Sequence, residues 1–188
     1  MEENSEKGLF KTLASTMGVI RTMKHCPQSA TRMFLSSLIN GKISFGIEVY
    51  GALSEGQLNQ LQILQNRAAR MALPGSLNTK EKLLKLGWLN IRFIRMKMDI
   101  SALWKMRVHK SSPYFDRWLN TSRLPASVLL PEYESSHGNI LKKSFLIRAT
   151  KAWNELPSEV RSASPAAFKV QLRRHLLARQ AEESERNG

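Results

Sequence analysis

Between Leu58 and Ala72 apolar residues recur three and four positions apart, at Leu58, Leu61, Leu64, Ala68, Met71 and Ala72. Asn59, Gln62, Asn66, Arg67 and Arg70 fall on the other side. That period predicts an amphipathic helix, with Ser54 placed to cap it and Pro74-Gly75 to stop it. A shorter helix is predicted from Thr79, as its cap, through Leu86, ended by Gly87. From about Asn90 to Lys110 the apolar residues, among them Ile91, Phe93, Ile94, Ile100, Leu103 and Trp104, lie around nearly the whole circumference. A helix of that kind is packed on several sides.

Further on, Phe145, Ala149, Ala152 and Trp153 form an apolar stripe that ends at Leu156-Pro157, with Arg148, Lys151 and Glu155 turned outward. Pro165 then opens a last helix with Phe168, Leu172 and Leu176 on one face. The polar residues 180–188 are expected to fray. Residues 8–24 and 28–50 read as two helices separated at Pro27, the second weakened by Gly41 and Gly46. Strand signals are confined to Leu124–Leu130 and Asn139–Leu141, a small β-ribbon in a connector punctuated by Pro113, Pro125 and Pro131. The expected architecture is therefore mainly α: a helical bundle over residues 1–118, a connector with the ribbon over 119–141, and a C-terminal helical unit with a frayed tail over 142–188.

Charge sharpens the picture. The 188 residues carry 29 Lys and Arg against 15 Asp and Glu, a net +14, while 42% are hydrophobic. That apolar content excludes a disordered polybasic tail, so a folded cation with a polyanionic partner is expected. The charge sits in two blocks, +8 over residues 54–110 and +7 over 142–179. A single cysteine, Cys26, excludes an internal disulfide and any metal site of paired cysteines. The longest run without a charged residue, Gly56 to Asn66, is too short to cross a bilayer. The opening MEENSEK lacks the basic start of a secretory signal. An intracellular protein, nuclear or cytoplasmic, not secreted and without a membrane partner, is expected.

Candidate catalytic chemistry is sparse. A polymerase or nuclease needs acids converging on magnesium, and the only aspartates are Asp99 and Asp116. These read as surface pairing or capping residues. His25, His109, His137 and His175 show no ligand spacing, Cys26 beside His25 is no nucleophile motif, and no glycine-rich phosphate loop follows a strand. No catalytic residue, metal or cofactor is expected. The basic residues are more informative. Arg67 and Arg70 share their helix side with Asn59, Gln62 and Asn66, a surface offering phosphate contacts and directional hydrogen bonds. With Arg92, Arg95 and Lys97 they form one expected nucleic-acid surface. Lys142, Lys143, Arg148, Lys151, Arg173 and Arg174 form the second. Trp88, Phe93 and Trp104, at helical spacing, read as core rather than as base-stacking platforms.

The stretch LNQLQILQNRAARMALP, through Gln65, Asn66, Arg67, Ala68 and Arg70, resembles a helix downstream of the catalytic palm in non-LTR retrotransposon (LINE-type) reverse transcriptases. ALWKMRVHKSSPYF is similar to a following stretch of that family. FLIRATKAWNELPSEVRSASPAAFKVQLRRHL is similar to its terminal signature through Arg148, Trp153, Asn154, Leu156, Pro157, Arg161, Phe168 and Lys169. Three segments in order make the resemblance specific. It implies a thumb-like helical module with a C-terminal helical extension that grips RNA, an RNA–DNA hybrid or DNA. It does not imply polymerisation, because the palm with its paired aspartates would lie upstream of residue 1. The Trp153-Asn154-x-Leu156-Pro157 element reads as a structural corner. The expected function is a catalytically inactive, basic nucleic-acid-binding module. The alternatives are a helical protein-interaction or scaffold protein reusing the thumb fold, and a retroelement relic without selected function.

Overall fold

The structure is a computed structural model that describes residues 25–49, 53–109 and 145–186, together with Lys11, Thr12, Ser15 and Gly18, the side chains at 46–49, 109 and 146 excepted. Every regular element among these residues is helical: α1 (Gln28–Leu35), a π turn (Ser36–Asn40), α2 (Gly41–Val49), α3 (Glu55–Ala72), α4 (Thr79–Lys85), α5 (Ile91–His109), α6 (Phe145–Asn154), α7 (Ser158–Arg161) and α8 (Pro165–Arg186). The mainly α class is thus what the chain adopts. The expected ribbon, the connector over 119–141 and most of residues 8–24 lie outside the described residues.

Local signals account for the helix ends. The Ser54 hydroxyl accepts from the Gln57 N–H and the Gln57 side chain accepts from the Ser54 N–H, a reciprocal cap that opens α3. The cap of α4 is Asn78 rather than Thr79. Its side chain accepts from the Glu81 N–H at 2.9 Å, and the Glu81 carboxylate accepts from the Asn78 N–H at 3.1 Å. The acid three residues beyond Asn78 decides the cap, and Thr79 becomes the first helical residue. Gly87 follows α4 at φ 65, a left-handed conformation that glycine enters without steric cost.

The expected second N-terminal helix is present, but its middle is a π turn. Leu35, Ile39 and Ile43 are fully buried and four residues apart. Four-residue steps over-rotate an α-helix by about 40° each, and the wider π turn removes that drift, keeping all three on one line.

The chain divides into two compact units, Met1–Arg95 with Leu177–Gly188, and Met96–Leu176. In the first, α1 and the π turn pack on α3, and α3 packs on α4. Leu35, Ile39, Leu61, Ala68, Ala72, Ile91 and Phe93 fill its core. Gln65 is fully buried there and donates to the Asn40 side chain at 3.0 Å and to the Leu89 carbonyl at 2.8 Å. Gln28 donates to the Ala72 carbonyl at 2.7 Å, satisfying a backbone acceptor at the end of α3. Residues 180–186, expected to fray, are instead the last turns of α8. The reason is Gln180, which is buried, accepts from the Asn90 N–H at 2.7 Å and donates to the Trp88 carbonyl at 3.1 Å.

In the second unit Ile100, Leu103, Ala149, Trp153, Phe168, Leu172 and Leu176 are buried. Trp104 stacks on Phe168 with ring centroids 4.8 Å apart, and Trp153 tilts against the same ring at 5.8 Å. The corner after α6 closes on a bond from the Leu156 N–H to the Trp153 carbonyl at 3.1 Å, and Pro157 then caps α7.

Candidate nucleic-acid interface

Burying Leu58, Leu61, Gln65, Ala68, Ala69 and Ala72 leaves the opposite side of α3 to solvent. Arg67 and Arg70, three residues apart, are both exposed there, with Asn59, Gln60 and Ile63 on the preceding turns. Arg92, in the first turn of α5, is also exposed. None of the three arginines has an ion-pair partner among the described residues. Their charge is therefore available to an external anion, across a distance set by the ionic strength.

The amides expected beside Arg67 and Arg70 do other work. Gln62 is half-buried; its carbonyl accepts from the Ile91 N–H at 2.9 Å and its amide donates to Asn66 at 2.7 Å and to Gln65 at 3.1 Å. Gln62, Gln65 and Asn66 thus form a network that satisfies a free N–H at the start of α5. The expectation that Gln62 and Asn66 present hydrogen bonds to a nucleic acid is corrected by this inward network. An α5 N-terminus needs acceptors: the Gln62 side chain accepts from the Ile91 N–H and the Asn90 side chain from the Phe93 N–H, while Asn66 holds the Gln62 amide. Asn59 stays exposed.

Arg95 and Lys97 are half-buried and already interact within the protein. Lys142 and Lys143 lie outside the described residues. Arg148 grips Asp99, Nε to Oδ2 at 3.0 Å and Nη2 to Oδ1 at 3.1 Å, with only 18% of its side chain exposed. Asp99 pairs as expected, with Arg148 as its partner, but the pair is buried rather than at the surface. Lys151 is exposed on α6, and Arg173 and Arg174 are exposed on α8.

Sequence reasoning left Lys169 out of the second surface. With Phe168, Leu172 and Leu176 facing inward, Lys169 and Arg173 stand four residues apart on the outer side of α8, and Arg174 follows. The signal was present in the spacing of Lys169 and Arg173 against the buried stripe. Lys151, Lys169 and Arg174 have no ion-pair partner among the described residues.

Other cations serve the fold. The Lys82 ammonium is buried and donates to the Gly75 carbonyl at 2.8 Å. The Arg107 guanidinium lies 5.1 Å from the centre of the Trp153 ring, and burial together with the charge of Arg161 lowers its pKa from the ordinary arginine value. The tryptophans among the described residues are likewise engaged: Trp88 and Trp153 are buried and Trp104 is stacked on Phe168. Among the described residues no group of three His, Cys, Asp or Glu converges as a metal site would require, and no helix is long and apolar enough to cross a membrane.

No protein-family model, characterised protein or solved structure matches the chain.

Proposed function

We propose that the chain is a catalytically inactive nucleic-acid-binding module that grips a phosphodiester backbone through two sets of cations, Arg67, Arg70 and Arg92 in the first unit and Lys151, Lys169, Arg173 and Arg174 in the second. The observation that carries this reading is the exposure of Arg67 and Arg70 on one helix side with no carboxylate among the described residues paired to either. Guanidinium groups so placed give phosphate oxygens charge-assisted, bidentate hydrogen bonds. Backbone contacts of this kind hold register and carry no base information.

The likeness to the thumb and downstream region of LINE-type reverse transcriptases gains a physical meaning under this reading. Gln65, Ala68, Trp153 and Phe168 of the similar segments are core residues, and Arg148 holds Asp99. Among the motif residues, Arg67, Arg70 and Lys169 are the exposed cations. The segments then combine a packing signature with a short list of phosphate ligands.

The test is a binding titration of the whole chain on single-stranded RNA, an RNA–DNA hybrid and duplex DNA at several salt concentrations. A steep fall of affinity with salt is expected, with a slope of about −0.7 to −0.9 per phosphate contact. Binding that is indifferent to salt would contradict the reading.

A further inference from the structure

Ile63, 50% exposed, stands at the centre of the solvent side of α3. At about 100° per residue the exposed Asn59, Gln60, Arg67 and Arg70 all fall within about 60° of it, while Leu58, Leu61, Gln65, Ala68, Ala69 and Ala72 lie on the buried side. The ridge therefore runs from two amides through an aliphatic side chain to two guanidinium groups, about 16 Å from Asn59 to Arg70. Gln62, Gln65 and Asn66 use their amides inside the protein, but the side chains of Asn59 and Gln60 make no hydrogen bond among the described residues. From Gly56 to Lys80 the sequence holds no Asp or Glu. Glu55, in the first turn, bounds the ridge about 12 Å before Ile63 and about 18 Å before Arg67, farther than a surface charge reaches at physiological ionic strength. The next acid, Glu81, is held in the cap of α4.

Such a ridge discriminates among nucleic acids. A single strand is held by stacking its bases on aromatic side chains, and α3 has none. The major groove of an A-form duplex, whether RNA or an RNA–DNA hybrid, is too deep and narrow for side chains to read, whereas that of B-form DNA is about 12 Å wide and admits an α-helix. In that groove an Asn or Gln amide pairs with two atoms of adenine, and an apolar side chain covers the C5-methyl of thymine. Asn59 and Gln60 supply the first chemistry and Ile63, one turn on, the second. Arg67 and Arg70 follow one and two turns later, where the ridge has spanned about five base pairs and meets the flanking phosphates. We propose that α3 enters the major groove of duplex DNA, where Asn59, Gln60 and Ile63 read A·T base pairs while Arg67 and Arg70 hold the backbone. This assignment rests on the phosphate-gripping reading of the two arginines and adds to it the class of nucleic acid and the bases read.

Base chemistry supplies the test. The probes are fluorescent duplexes of about 20 base pairs, titrated with the whole chain by anisotropy: A·T DNA, G·C DNA, the A·T duplex with deoxyuridine in place of every thymidine, which removes only the C5-methyl groups, and an RNA–DNA hybrid of the A·T sequence. A·T DNA should bind about tenfold more tightly than G·C DNA or the hybrid, and loss of the methyl groups should weaken it about fourfold. Asn59→Ala/Gln60→Ala should remove most of the preference for A·T over G·C, and Ile63→Ala should bind the thymine and uracil duplexes alike. Arg67→Ala/Arg70→Ala should weaken binding to all four probes and keep their ratios. All five positions are exposed, so the variants fold, as circular dichroism checks. The proposal is overturned if A·T and G·C DNA bind alike, if the hybrid binds as tightly as A·T DNA, if Asn59→Ala/Gln60→Ala keeps the full preference, or if folded Ile63→Ala still distinguishes thymine from uracil. Salt-dependent binding without these preferences overturns this proposal alone, whereas binding that is absent or indifferent to salt overturns the phosphate-gripping reading as well.

Discussion

Arg148 on α6 and Asp99 on α5 form a two-pronged ion pair, with both contacts at 3.0 to 3.1 Å and the aspartate buried. Asp99→Ala would remove the two-pronged carboxylate partner of a largely buried guanidinium. It should lower stability by about 2–4 kcal/mol, measurable as a drop in the denaturant midpoint. Arg148→Ala should destabilise comparably yet leave the salt dependence of nucleic-acid binding unchanged. A flattened slope in a folded Arg148→Ala protein would return that residue to the binding surface.

Gln65 is the buried centre of the amide network. Gln65→Leu removes the donor to the Leu89 carbonyl and the Asn40 side chain, and a buried acceptor left without its partner costs about 1–3 kcal/mol. Thermal unfolding of this variant should shift down while its affinity for nucleic acid at temperatures below the transition stays the same.

Trp153 touches Phe168 and lies beneath Arg107. Trp153→Ala should cost about 3–5 kcal/mol, the usual penalty for emptying a large aromatic site in a packed core. Unchanged unfolding combined with lost nucleic-acid binding would make Trp153 a stacking residue.

Gln180 secures the end of α8 to the segment before α5 through Trp88 and Asn90. Gln180→Ala leaves a carbonyl and an N–H without that partner, for a cost of about 1–3 kcal/mol, whereas the exposed Glu182→Ala should be nearly neutral. Chemical denaturation of the two variants side by side checks this. Equal midpoints would show that the end of α8 is dispensable to the first unit.

The helices that the sequence announced most clearly were those with a strict apolar period and a cap, α3 and the stripe of Phe168, Leu172 and Leu176 on α8. Asn78 was missed as a cap because Thr79 beside it has the same chemistry, and only the register of Glu81 separates them. The tail was misread for a different reason. Gln180 is polar, and its burial depends on backbone groups of Trp88 and Asn90 some ninety residues away, which no local pattern reveals. The same blindness applied to Gln62 and Asn66, whose position on the polar side of α3 suggested solvent while tertiary packing gave Gln62 the N-terminus of α5 and Asn66 the Gln62 amide. Arg67 and Arg70 were legible because exposure follows directly from the helical period. Arg148 sat equally well on a polar side, but its partner Asp99 lies on another helix.

The central claim rests on Arg67 and Arg70, and the most direct measurement is the slope of log affinity against log salt for the wild type and for Arg67→Ala/Arg70→Ala, with circular dichroism confirming that both are folded. Two lost phosphate contacts should flatten the slope by about 1.5 units and weaken binding to all sequences alike. A folded double variant with the wild-type slope, or a wild type whose slope is near zero, would contradict the account.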